Sequence, residues 1–121
     1  TEADRIFAEL TKLLKDTGIY TGTPEDIQIQ DLPEDDVTTL IGEPLANSMR
    51  VRILKALAGD SKMFADIAAL TGLRGGNLKF HLEKLMSSNL ITQKNERDKY
   101  QITDRGRELL LAAAVLLDKI R

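Results

Sequence analysis

The residues best equipped for chemistry lie in 71–85, TGLRGGNLKFHLEKL, where Arg74, Asn77, Lys79, Phe80, His81 and Lys84 surround or follow two adjacent glycines. Guanidinium and ammonium groups attract anions, an Asn amide both donates and accepts hydrogen bonds, and an aromatic ring packs or stacks. These groups suit binding better than catalysis. His81 is the only histidine, the chain has no cysteine, and no nucleophile–base pair or paired-carboxylate site suggests itself. Gly72 to Lys79 superficially resembles a phosphate loop, but its spacing and its ending are wrong and no strand precedes it. The residues therefore argue against an enzyme and supply no cofactor motif. Gly75 and Gly76 pose a separate question, because a glycine inside a helix costs roughly 1 kcal/mol relative to alanine. They belong at a helix edge, or where something approaches the backbone closely.

The surrounding periodicity supplies the elements that hold these residues. Ile6, Phe7, Leu10, Leu13 and Leu14 follow helical spacing, so residues 1–18 read as an amphipathic helix ending near Gly18. Residues 19–43 lose the period, carry Pro24 and Pro33, and accumulate Glu25, Asp26, Asp31, Glu34, Asp35 and Asp36, which reads as a loosely structured acidic linker. Pro44 opens a helix through Leu45, Met49, Ile53, Leu54 and Leu57 that stops at Gly59. A short bridge, a brief helix from Ala65 to Leu70 and a turn at Thr71 to Leu73 follow. Leu78, Leu82 and Leu85 then line the inner face of a further helix. Leu90 to Lys94 and Lys99 to Thr103 read as strands flanking the turn Asn95 to Asp98. Thr103 is placed to cap a last helix over 104–121, with Asp104 and Glu108 near its start and Lys119 and Arg121 near its end.

The formal net charge of −2 conceals a segregation. Residues 1–43 hold three Lys/Arg against eleven Asp/Glu, whereas residues 44–121 hold fourteen against eight. A basic domain behind an acidic leader has an electrostatic reason to bind polyanions. The longest apolar run, Leu109 to Leu117, has nine residues, far fewer than the roughly 20 that span a bilayer. No membrane partner is expected, and the composition is read as that of a soluble cytoplasmic protein. The opening Thr1 in place of Met is expected of a start that was processed, trimmed or left out.

Four pieces in order carry a family resemblance: R-x-x-I-L-x-x-L from Arg50 to Leu57, N-L-x-x-H-L-x-x-L from Asn77 to Leu85, S-N-L-I from Ser88 to Ile91, and Y-x-I-T-x-x-G-R-E-L-L from Tyr100 to Leu110. Residues 44–110 thereby resemble the winged helix-turn-helix domains of ArsR- and MarR-type transcriptional regulators. The resemblance implies a mainly α fold with a small β-hairpin wing: a winged helix-turn-helix over 44–103 with extra N- and C-terminal helices. It also implies a double-stranded DNA partner, a recognition helix at about 75–88, and a wing at 94–99. The segment before Pro44 resembles nothing named here.

On a helical wheel whose inward direction is set by Leu78, Leu82 and Leu85, Gly76, Phe80, Glu83 and Ser87 point outward, with Asn77, Lys79 and Lys84 beside them. Recognition helices read bases chiefly with their first residues, so Asn77, Lys79 and Phe80 are the expected readers and Lys84 a phosphate contact. Asn77 suits adenine. Phe80 either touches a thymine methyl or folds back on a neighbouring helix or the wing. Arg74 occupies the usual Ser/Thr cap position, and the N–H groups of Gly75, Gly76 and Asn77 are expected to meet a phosphate. Lys94, Arg97 and Lys99 supply the wing's grip, with Arg97 at its tip; the alternative is a solvated turn with local ion pairs.

His81 flanks the core on the wheel and matches a histidine common in the resembled family, so a structural role is expected. Metal sensors of that family place cysteine pairs on the first helix of the motif, where this chain reads Ser61-Lys62-Met63-Phe64-Ala65-Asp66, or carboxylates and histidines on the last helix. No metal is assigned here, and an effector ligand stays unidentified. Leu109 to Leu117 is apolar on every face, so one face is expected to pack on its own domain and another on a second copy. Phe7, Leu10, Leu14, Leu110 and Leu117 are the expected homodimer residues, unless the first helix covers the last within one chain. Two further alternatives are a winged helix used only for protein binding, and an acidic stretch 25–36 that competes with DNA.

Overall fold

The computed structural model describes residues 1–18 and 28–121, the side chains of Ala3, Ile6 and Phe7 excepted. Helix α1 spans Glu2–Asp16, as expected from its period. Thr1 and Asp4 close a reciprocal capping box at its start, and Gly18 (φ +81°) lies just past its end. Part of the expected linker, residues 19–27 with Pro24, Glu25 and Asp26, lies outside the described residues. Residues 28–33 hold only a short 3-10 turn, Ile29–Asp31, but residues 34–45 correct that expectation, because they are helical throughout: α2 Glu34–Val37, a π-helical turn Thr38–Gly42 and α3 Glu43–Leu45. Of the acidic residues read as linker residues, Glu34, Asp35 and Asp36 occupy the first turn of α2, where carboxylates meet the positive end of the helix dipole.

A second correction concerns Pro44. The helix expected to run from it is broken at Asn47, whose side-chain oxygen accepts from the N–H groups of Met49 (2.8 Å) and Arg50 (3.3 Å) and starts α4, Ser48–Gly59. An Asn in extended backbone offers those N–H groups a better partner than a continued helix does. Helix α5 (Phe64–Thr71) closes on Gly72, whose φ of +75° is reached cheaply only without a side chain. Helix α6 spans Gly75–Ser87. Strands β1 (Ile91–Gln93) and β2 (Tyr100–Ile102) pair antiparallel with Ile91 opposite Ile102, and α7 runs Asp104–Ile120. The bridge after α4 also pairs with β2: Lys62 and Tyr100 exchange backbone hydrogen bonds of 3.1 and 2.8 Å.

Two units result. Residues 34–110 enclose a core of Ile53, Leu54, Leu57, Ile67, Leu78, Leu82, Leu85, Leu90, Ile91 and Tyr100, one or more from each of α4, α5, α6 and the hairpin. Leu109 and Leu110 pack on this core, so the unit takes in the start of α7 and does not end at 103. Thr103 caps α7 by accepting from Gly106 N (3.0 Å). Gly106 sits so near the Leu90 carbonyl that a side chain there would collide with it.

The other unit comprises residues 1–33 and 111–121. Within it Lys119 Nζ meets Glu9 Oε2 at 2.6 Å, and this ammonium is the chief reason the Glu9 carboxyl titrates below its ordinary range. Leu10 and Leu14 are half-buried, while Leu116, Leu117 and Ile120 remain exposed. Among the described residues, no helix is long and apolar enough to cross a membrane.

Candidate nucleic-acid interface

Helix α6 is seated by three leucines, because Leu78, Leu82 and Leu85 are wholly buried at the expected spacing. The opposite face is free: Gly76, Asn77, Lys79, Phe80, Glu83 and Ser87 are exposed. Arg74 is the N-cap, with extended backbone (φ −133°, ψ 150°) and no capping bond from its side chain. The glycine question divides at this point. Gly75 has φ +48°, which an L side chain resists, whereas a Cβ on Gly76 would meet nothing within 4 Å. Gly75 is needed by the chain's own turn; Gly76 leaves open space in front of α6. Asn77 N–H is not free for a phosphate as expected, since it donates to the Arg74 carbonyl (3.1 Å). A tight entry turn takes up the third N–H of the helix.

The remaining expected contacts separate into two groups. Lys79 and Arg97 come together across a cleft of about 640 Å³ between α6 and the wing, above Leu82, Met86 and Tyr100. Glu83 and Glu96 line the same cleft, so its charge is balanced. Lys84 lies elsewhere: its ammonium is 3.3 Å from Glu43 Oε2 on α3, which already supplies an anion. Phe80 is 53% exposed and sets its ring edge-on to His81 of its own helix (centroids 5.4 Å, 68°). Lys84 Nζ lies 5.8 Å from the Phe80 ring.

The wing is short and polar. Lys94, Arg97 and Lys99 are exposed, and Arg97 takes φ +71° at the tip. Three hydrogen bonds hold that turn: Asn95 Nδ2 to Asp98 Oδ2 (3.1 Å), Gln93 Nε2 to the Asp98 carbonyl (2.9 Å), and Asp98 N to the Asn95 carbonyl (3.0 Å). Tyr100 at the wing's base is nearly buried, and burial pushes its phenol above the ordinary value.

One residue of the site was not singled out by sequence reasoning. Arg50 is buried on α4, with Nε donating to the Pro44 carbonyl (3.1 Å), Nη2 to the Glu43 carbonyl (2.5 Å) and Nη1 lying 3.0 Å from His81 Nδ1. It ties α3, α4 and α6 together. The signal was available, because 50, 53, 54 and 57 form one helical stripe and an arginine on such a stripe must find acceptors inside. His81, half-buried as its place on the wheel suggested, has its pKa lowered by burial first and by the Arg50 cation second.

The expected dimer residues are likewise distributed. Leu117 is 46% exposed, Leu10 and Leu14 are half-buried, and Leu110 packs on the core of residues 34–110. The side chain of Phe7 lies outside the described residues. Among the described residues, no cluster of His, Asp or Glu is placed to hold a metal ion.

Comparison with known proteins agrees with this geometry. The family described as bacterial regulatory protein, arsR family, matches residues 47–93, from the Asn47 cap to the end of β1. Among solved structures, the chain is similar to a winged helix-turn-helix domain from Mycobacterium bovis, a homodimeric DNA-binding fragment (1–100) of a possible ArsR-family transcriptional regulator. Identity is 30%, the match covers 71% of this chain and 80% of that one, and the TM-score is 0.58. No curated protein matches. A winged helix-turn-helix with a fully seated α6, matched in sequence over its centre and in structure over most of its length, belongs to the ArsR family of bacterial regulatory proteins and is a regulator, not an enzyme.

Proposed function

We propose that this chain is a sequence-specific reader of double-stranded DNA that regulates transcription as a homodimer, acting in the cytoplasm where the chromosome lies. Helix α6 enters the major groove and the wing lies on the backbone or in the minor groove. The exposed face of α6 carries this reading: Asn77, Lys79 and Phe80 stand clear of the protein within its first two turns, while three buried leucines fix the helix beneath them. Support comes from the net positive charge of residues 44–121 and from the similar domain, which is a homodimeric DNA-binding one. Lys79 and Arg97, on opposite walls of one cleft, suit a phosphate ridge passing between groove and wing. Lys84 would have to exchange Glu43 for a phosphate, which makes it a weaker contact than Lys79. Exposed Leu116, Leu117 and Ile120 suit a partner copy, which would place two α6 helices on half-sites roughly 34 Å apart.

The balanced charge of the cleft and the exposed Phe80 favour a second reading, a winged helix that binds protein. Salt separates the two. Binding of the intact chain to duplexes selected from a random-sequence pool should weaken steeply as salt rises, and Lys79→Glu should abolish most of it. Absent or salt-insensitive binding across the pool would remove the DNA reading.

A further inference from the structure

Glu43, on the acidic segment before Asn47, carries two independent contacts to the helices beside it, one to α4 and one to α6. Its carbonyl accepts from Arg50 Nη2, and its carboxylate pairs with Lys84. Arg50 then reaches His81 Nδ1 with its remaining nitrogen. A guanidinium has five donors and no acceptor, so His81 must present an unprotonated Nδ1 for this bond to exist. The charged group that acts on the ring is Arg50 from α4; Lys84, one turn along α6, and Glu43, on α3, are paired with each other. With Glu43 already engaged by Lys84, a proton on His81 would add a cation 3.0 Å from Arg50 with no anion to receive it.

We propose that Arg50 and His81 are positioning residues for α6, and that protonation of His81 unseats α6 from α3 and α4 and so weakens DNA binding in mild acid. The proposal rests on the DNA-reading function for its binding consequence alone. Its direction is diagnostic. An added positive charge near a DNA-facing helix should by itself tighten binding, whereas loss of the Arg50 bond displaces the face that carries Asn77, Lys79 and Phe80.

The test uses the whole chain and a duplex selected from a random-sequence pool at about pH 7.5, with affinity then measured down to about pH 5.5, the range in which histidine titrates. The wild-type chain should lose about tenfold in affinity, the scale of one charge-assisted hydrogen bond. His81→Asn keeps an uncharged acceptor near the position of Nδ1 and should remove that loss. A loss of equal size in both proteins, or tighter wild-type binding in acid, overturns the proposal. Wild-type nitrogen NMR supplies a readout free of DNA and of any folding defect. His81 should be the Nε2–H tautomer at about pH 7.5, and the protection factors of the α6 amides, corrected for the base-catalysed intrinsic rate, should fall at about pH 5.5. A protonated Nδ1 at the higher pH, or unchanged α6 protection factors, overturns it as well. If no duplex is selected at all, the DNA reading fails, and the NMR result alone decides the positioning role.

Discussion

Arg50 Nη1 lies 3.0 Å from His81 Nδ1, joining the first turn of α4 to the middle of α6 across the interior of the motif. The same guanidinium takes up the Pro44 and Glu43 carbonyls at the end of α3. One buried cation thus does for α3 what a C-terminal cap would do, and fixes the tautomer of the only histidine. Arg50→Met would replace it with an apolar stem that leaves the Pro44 carbonyl and a ring nitrogen without this donor, and the Glu43 carbonyl with the Ala46 N–H alone. A loss of about 2–4 kcal/mol in unfolding free energy is expected by urea titration.

His81 gives stability a pH dependence whose sign follows from the same bond. Its folded-state pKa lies below the ordinary 6.5, through burial and then through Arg50, so the unfolded chain takes up a proton more readily than the folded one. The contribution is fully present above about 6.5 and is lost as pH falls through that value and then through the lower folded-state pKa. Thermal unfolding followed from about pH 8 to about pH 5 should show the midpoint falling in acid. His81→Asn should remove this part of the decline and leave the part due to carboxylates. A histidine whose folded pKa exceeded 6.5 would show the opposite slope.

Three glycines should respond differently to alanine. Gly106→Ala would drive a methyl into the Leu90 carbonyl and within 2.7 Å of Ile102 Cγ1, costing about 3 kcal/mol as the start of α7 shifts. Gly75→Ala would cost roughly 1 kcal/mol for its φ of +48°. Gly76→Ala meets nothing within 4 Å and should raise stability by up to about 1 kcal/mol. Its effect on DNA is the opposite: a methyl in front of α6 should weaken binding to all duplexes more than it alters preference among them. Unfolding curves and binding measured on the same three variants check both halves.

The lysines of α6 should not be equivalent. Lys79→Ala should lower the dependence of log affinity on log salt by about 0.9, the value of one phosphate contact. Lys84→Ala should change it less, because Glu43 holds that ammonium at 3.3 Å. Glu43→Gln frees Lys84 and should raise affinity for duplexes of any sequence. Salt titrations of these variants on one duplex settle the order.

Much of this was legible before any coordinates. The stripe Leu78, Leu82, Leu85 set the orientation of α6, since burying three leucines on one side leaves a single face for Asn77, Lys79 and Phe80. The polar turn between two β-rich runs marked the wing, and Thr103 marked the start of α7. The chain's acidic stretch was harder to read. Glu34, Asp35 and Asp36 discourage a packed core, yet they favour a helix N-terminus, and only the partner at the other end of the segment decides between those outcomes. Here Arg50 meets the Glu43 and Pro44 carbonyls, Lys84 the Glu43 carboxylate and Ser88 the Thr39 carbonyl.

By itself the sequence determined what is local: helical period, caps, the hairpin and the face of α6. Only the tertiary structure decided what each exposed or buried charge meets. Lys84 and Lys79 sit on one helix, yet Lys84 faces Glu43 of α3 while Lys79 faces the cleft with Arg97. Period assigns a side chain to a direction, but the group waiting in that direction comes from another element. Hydrogen bonds and ion pairs act over a few ångströms, so their partners are known only once those elements are packed.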